Sequence, residues 1–240
     1  MLSLRNKRES FTLLNTPLVL FILIIVTILR IYSLYVSPIE LSVDEAQYWH
    51  WSRNIDFGYF TKPPLIAWLI GFSTLIFGNE EWAVRLFAPI IHVFISLVLW
   101  GTAKFAFGSN SGKIAALIWI FTPAASLGGF IISTDTPLLL FWSLSLLFLL
   151  ISLRENSSFT SLFVGIFLGF AFLSKYAALY FLIFFIIWWL IYDRSTFLSI
   201  KNILIILFTS FLIASTNLYW NYLNDFATVN HTISNANLSM

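Results

Sequence analysis

Two polar stretches stand out in a chain otherwise built of apolar side chains. The first is Ser42-Val-Asp-Glu-Ala-Gln-Tyr-Trp-His-Trp-Ser-Arg53, which brings acidic, aromatic and basic residues into one short segment. The second, Phe60-Thr-Lys-Pro-Pro64, follows closely. Ser42-x-x-Glu45 is a capping-box pattern, so a short helix is predicted with Ser42 as N-cap and Asp44 and Glu45 in its first turn. Both carboxylates have an ordinary use there, a favourable interaction with the helix dipole worth under about 1 kcal/mol each. Asp44 differs from Glu45 because the box does not need its side chain. From the second helical position it projects towards whatever the helix covers, where a carboxylate serves as a general base. Tyr48, Trp49 and Trp51 lay such a helix along a membrane surface.

Lys62-Pro63-Pro64 holds a basic residue at the start of a helix, since proline lacks the N–H that would go unpaired in a first turn. An ammonium beside a helix N-terminus is a phosphate site; the alternative is a lysine snorkelling to the interface. In Ser133-Thr-Asp-Thr-Pro137, Asp135 either caps the helix that follows or forms a second exterior carboxylate facing Asp44. Leu173-Ser-Lys-Tyr176 places Lys175 at a helix end, where it and Arg53 join Lys62 as cations for a phosphate leaving group. His231 follows Asn217-Leu-Tyr-Trp-Asn221 and Asp225, with no second histidine nearby.

The elements that must position these groups are membrane helices. Of 240 residues, 59% are hydrophobic, 19% aromatic and only 10% charged. A soluble domain carries about 25% charged residues, so the chain is predicted to be an all-α polytopic membrane bundle. Its 26 Phe and 10 Trp suit lipid-facing helices and interfacial belts. The absence of cysteine excludes disulfides and thiolate metal sites, and a net charge of +2 gives no basis for nucleic-acid binding.

Behind Arg5, Lys7 and Arg8, the apolar run from Pro17 to Val36 is long enough to span and is read as a retained signal anchor. Further spans are predicted near Val84–Ala103, Ile114–Ile132, Thr136–Leu153, Ser161–Ser174, Tyr176–Tyr192 and Ile203–Tyr219, seven in all. Pro64–Phe77 is too short to cross and reads as a re-entrant or interfacial helix within a long first outer loop, about residues 37–83. With the N-terminus inside, Arg5, Lys7, Arg8, Lys104, Lys113, Arg154, Arg194 and Lys201 fall on the cytoplasmic side, as the positive-inside rule expects. Glu40, Asp44, Glu45, Asp56, Glu80, Glu81, Asp135 and Asp225 fall outside, which marks an exterior functional face.

The ordered motifs Asp44-Glu-Ala-x-Tyr-Trp49, Tyr59-Phe-x-Lys-Pro-Pro64, Thr134-Asp-x-Pro137, Leu173-Ser-Lys-Tyr176 and Asn217-x-x-Trp-Asn221 together resemble the bacterial membrane glycosyltransferases of GT-C fold. These form the superfamily of protein O-mannosyltransferases and aminoarabinose lipid A transferases, families 39 and 83. The similarity runs from Arg30 to His231. It implies an integral protein of the bacterial inner membrane, acting on its outer side. The donor would be a polyprenyl-phosphate-linked sugar and the acceptor lipid A, a protein or an envelope glycan. The resemblance assigns Asp44 as base or acceptor-orienting group, Asp135 as the second-loop acid and Lys62 as the donor-phosphate ligand. Glu45, Tyr48 and Tyr59 take acceptor-side or structural roles, and His231 matches a loop histidine linked in some members to a divalent metal. Relatives are longer, so the single membrane domain 1–240 is expected to be the N-terminal part of such a transferase, or else a non-catalytic fragment or accessory subunit. A secondary transporter would concentrate its polar residues near the bilayer midplane; here, apart from Arg30, they gather at one boundary.

Overall fold

A computed structural model describes residues 15–191 and 198–235, all of whose regular elements are helical. Arg5, Lys7, Arg8, Arg194 and the predicted span end at Tyr192 lie outside the described residues. Helix α1 (Thr16–Val36) begins where the Asn15 side chain accepts the Leu18 N–H, with Pro17 in its first turn. The segment after α1 then folds into α2 (Val43–Ser52), α3 (Leu65–Phe77) and α4 (Glu81–Arg85), and α4 runs almost directly into α5 (Phe87–Phe107). The remaining helices are α6 (Ser109–Phe121), α7 (Pro123–Gly128), α8 (Asp135–Glu155), α9 (Ser158–Ser174), α10 (Leu179–Ile191), α11 (Ile200–Leu223) and α12 (Ala227–Asn235). A single 3-10 turn, Tyr176–Ala178, joins α9 to α10.

Among the described residues, four helical stretches are long and apolar enough to cross a membrane: α1, Glu81–Phe107, α8 and α11. Leu65–Phe77, Ser158–Ser174 and Tyr176–Ile191 are apolar but shorter. The predicted span Ile114–Ile132 is interrupted. Pro123 disfavours helical geometry at Thr122, which leaves the helix with ψ 148° and caps α7 by accepting the Ala125 N–H. Both prolines of the Lys62-Pro63-Pro64 segment also lie just before α3, with Pro64 as its N-cap, rather than inside the first turn.

The bundle is layered. Helix α9 packs against α8 on one side and α11 on the other, while α5 packs on α6 and α8. The α9–α11 seam depends on two missing side chains. A Cβ on Gly165 would overlap the Thr209 hydroxyl, and one on Gly169 would lie 2.6 Å from Ile213 Cβ. Small residues at such spacing let membrane helices approach backbone to backbone. At one end, Asn156 takes the left-handed conformation that closes α8 and accepts from Asn202 Nδ2 at 2.8 Å. At the opposite end the surface helices α2 and α3 cover a core of Tyr48, Ile66, Ile70, Val84, Ala88 and Ile132.

Candidate functional site

The chemistry-bearing residues sit at that covered end. Helix α2 forms with both halves of the capping box: Ser42 Oγ accepts the Glu45 N–H and Glu45 Oε2 accepts the Ser42 N–H at 3.0 Å. Glu45 does more than cap. It is fully buried, receives both Nε and Nη2 of Arg85 at 2.8 Å, and accepts the Ile132 N–H at 3.0 Å. Arg85 continues outward, donating to the carbonyls of Ile39 and Glu40 and lying 5.5 Å from the centre of the Phe130 ring. Burial raises the Glu45 pKa, but the Arg85 and backbone donors outweigh it and hold the carboxyl below its ordinary value. Glu45 is therefore the ionised anchor joining α2 to α4 and to the segment before α8.

Asp44, one residue earlier, is exposed and makes no such pair. Its nearest electrostatic neighbour of interest is Tyr48, one turn along the same face. The Tyr48 phenol is pushed up to about 12, first by burial and then by the charges of Asp44 and Asp135, against a hydrogen bond with Thr134. Tyr48 thus stays a neutral phenol. The charges of both Asp44 and Asp135 are felt at that phenol.

Asp135 does not cap α8. Thr134 holds the N-cap position, with no side-chain bond to the helix, and the Asp135 carboxylate instead meets Lys175 Nζ at 2.7 Å. That pair is solvent-accessible, with the two side chains 54% and 36% exposed, so water and ligands reach it. Lys62 is half-buried, and no carboxylate pairs with its ammonium among the described residues. Arg53 lies on the other edge of α2, donating to Asn79 Oδ1 at 2.7 Å and stacking 5.9 Å from Trp49, so its guanidinium is already engaged. Tyr59 is a loop strut: its hydroxyl donates to the Asn54 carbonyl and accepts the Asp56 N–H, and its ring stacks on Trp51 at 5.0 Å.

Several residues that carry the site were quoted only as motif letters or not at all. Asn217 and Asn221, one helical turn apart on α11, both bond the Tyr176 hydroxyl. Asn217 Nδ2 donates to the Phe57 carbonyl, Trp220 Nε1 to Asp56 Oδ2, and Thr228 Oγ1 to the Tyr59 carbonyl, all within 2.8 Å. The Tyr59 N–H in turn bonds the Lys62 carbonyl at 3.2 Å. The α2–α3 loop that carries Lys62 is thereby clamped onto the end of α11, whose Asn217 and Asn221 also hold Tyr176, the neighbour of Lys175. The i, i+4 repeat of Asn217 and Asn221 was the available signal. Beside this clamp, α9, α10, α11 and α12 border an apolar groove of about 710 Å³ whose lining includes Leu168, Phe172, Tyr176, Leu207 and Phe211.

His231 does not enter a ligand set. No group of three His, Asp or Glu side chains suited to a metal forms among the described residues, and the His231 ring sits 5.2 Å from that of Phe60. Among the described residues, the donors do not form a divalent-ion site.

Comparison with known proteins gives a consistent picture. The chain is 35% identical over 207 residues to the lipid A galacturonosyltransferase RgtD of Rhizobium johnstonii, covering 86% of this chain and 44% of that protein. It is 34% identical over 64 residues to the putative mannosyltransferase YycA of Bacillus subtilis, 27% of this chain and 9% of the relative. Its fold matches crystal structures of ArnT from Cupriavidus metallidurans, in the apo state and bound to undecaprenyl phosphate, each with TM-score 0.70 and 18% identity over 89% of this chain. Those matches span 43% and 42% of the ArnT chains, so the chain corresponds to less than half the length of these relatives. The all-helical architecture is thus the ArnT-like one that the motif order implies. Residues 61–220, more than half of the chain, match the model of one family, and the chain belongs to it: the dolichyl-phosphate-mannose-protein mannosyltransferases.

Proposed function

We propose that this chain carries the donor-side half of a transferase that moves a sugar from a polyprenyl phosphate to an acceptor at the outer face of the bacterial inner membrane. The observation that carries the reading is the Asp135–Lys175 pair at the end of the bundle covered by α2, the helix of Asp44 and Tyr48, with an apolar groove beside Tyr176, the neighbour of Lys175. Family membership and the ArnT structure bound to undecaprenyl phosphate support a lipid-linked donor, and the RgtD relative supports lipid A as acceptor. The groove would hold the isoprenoid chain. Lys62, with Lys175 as a second cation, would neutralise the phosphate as the bond between the anomeric carbon and the phosphate oxygen breaks and that oxygen keeps the electron pair. Asp44 would accept the proton of an attacking hydroxyl; with an already ionised lipid A phosphate it would orient the acceptor instead. Tyr48 would hold the two carboxylates in register. Arg53 would act only after leaving Asn79.

The test is transfer from lipid-linked sugar in membranes that hold the whole protein. Asp44→Asn should lower kcat about a hundredfold or more with insertion intact. Lys62→Ala should raise KM for the donor by roughly tenfold to a hundredfold, the loss of one charge-assisted contact. Normal kcat in Asp44→Asn together with unchanged donor KM in Lys62→Ala would remove the proposal.

A further inference from the structure

One polar cluster inside the helical bundle has no part in the chemistry above. Arg30 of α1, His92 of α5 and Trp119 of α6 gather around Gly128 and Gly129, where α7 ends. Arg30 commits its Nη2 to the Ile120 carbonyl at 2.6 Å and to Ser126 Oγ at 3.1 Å. Its Nη1 is buried without a hydrogen bond, as are Trp119 Nε1 and both ring nitrogens of His92. His92 is 2% exposed and stacks on the Trp119 ring, with centroids 5.7 Å apart and planes at 19°. The two glycines let the backbone come up against these groups. A Cβ on Gly128 would lie 2.6 Å from His92 Nε2, and one on Gly129 would lie 3.4 Å from Arg30 Nη1.

Buried polar atoms in proteins are paired almost without exception, and here unpaired ones collect in one place. Their chemistry is lopsided. Arg30 Nη1 offers two N–H groups and Trp119 one, while the imidazole of His92 adds a further donor and, when neutral, a single acceptor. Water accepts from such donors but brings two hydrogens of its own, for which the cluster has only that one nitrogen. A halide accepts from every donor and needs no acceptor. Charge points the same way, because no carboxylate pairs with Arg30 among the described residues, and a buried guanidinium without a counter-ion is costly. The unpaired atoms are closed off from solvent, which suits a small, weakly hydrated ion rather than a phosphate or sulfate.

We infer that Arg30, His92 and Trp119 form a buried site for a chloride-sized monovalent anion, which ties α1, α5, α6 and α7 together. Binding there goes beyond the proposed transfer reaction and is measurable without it. The whole protein in lipid–detergent micelles should unfold at a higher midpoint in chloride or bromide than in gluconate at equal ionic strength. The midpoint should also climb with each tenfold rise in halide, as binding to the folded state alone requires. Trp119→Phe keeps a ring to stack on His92 and removes one N–H. It should move the halide dependence to about tenfold higher concentration, the loss of one hydrogen bond to a charged group. Arg30→Met should abolish the response, and Arg30→Lys should keep it in weakened form, which guards against a variant that merely packs badly. Asp44→Asn and Lys62→Ala should respond as the unsubstituted protein does, so that halide binding is read independently of transfer. Anomalous scattering from crystals grown in bromide should place the ion between Arg30 Nη1 and His92. Equal midpoints in halide and gluconate, a full halide response in Arg30→Met or Trp119→Phe, or an ordered water at that point with no bromide overturns the inference.

Discussion

Arg85 and Arg30 both carry a charge into the protein, one beneath the short helices α2 and α3 and one within the first long apolar helix, and the protein satisfies them by different means. Arg85, 2% exposed, meets a carboxylate, two carbonyls and an aromatic face. Arg30 has no carboxylate. Its Nη2 donates to the Ile120 carbonyl at 2.6 Å and to Ser126 Oγ at 3.1 Å, while Nη1 is buried without a partner. Ile120 lies in the last turn of α6, where Pro123 has ended the helix, so its carbonyl lacks the usual donor four residues on. Arg30 thus caps a broken helix, and a cation is favoured at that negative end. The first arrangement fixes loops to one another; the second repairs a break. A charge neutralised by a carboxylate becomes indispensable, whereas a charge that serves carbonyls can be replaced at lower cost.

The comparison can be broken most sharply at Arg85. Arg85→Met leaves Glu45 buried without its counter-ion and should cost about 3–5 kcal/mol, read as a large fall in the unfolding midpoint in lipid–detergent micelles. Arg30→Met should cost less, about 1–3 kcal/mol, because what remains is an unpaired carbonyl and a serine hydroxyl. Equal losses in the two variants would erase the distinction. Acid sharpens it further. The folded pKa of Glu45 lies below its unfolded value, so its contribution is fully present above about pH 4.5, the ordinary glutamate value, and fades as pH falls through the lower folded value. Stability of the Arg30→Met protein should keep that acid dependence, while Glu45→Gln should flatten it; a flat profile in both would deny Glu45 its role. The smallest effect belongs to the exposed Asp135–Lys175 pair: Lys175→Ala should change stability by less than about 1 kcal/mol, so that any large effect on transfer is chemical rather than structural.

Much of this was legible in the sequence because it depends on near neighbours. The capping box at Ser42 and Glu45 and the long apolar runs of α1, α8 and α11 appear where periodicity and composition put them. The partnership of Glu45 with Arg85 was not legible, since forty positions separate them and neither spacing nor residue type singles out that arginine. Asp135 reads as a cap beside Thr136 and Pro137, yet its partner Lys175 lies forty positions on, just past the end of the neighbouring helix α9. The break at Pro123 was hidden by the continuous apolar run around it, although the proline itself marked the boundary. Local rules thus gave the elements. Long-range pairing then assigned the roles.

The glycine seam between α9 and α11 has a mechanical consequence for anything that enters the apolar groove. Gly165 and Gly169 leave no side chains there to compress, so those two helices form a stiff wall of fixed width. The facing wall is α10, where only Phe181 and Phe185 are buried and most other residues face outward. On the proposed reading, ligands of different thickness are accommodated by displacing α10, as a door moves against a fixed jamb, while Asn217 on the rigid side keeps its place.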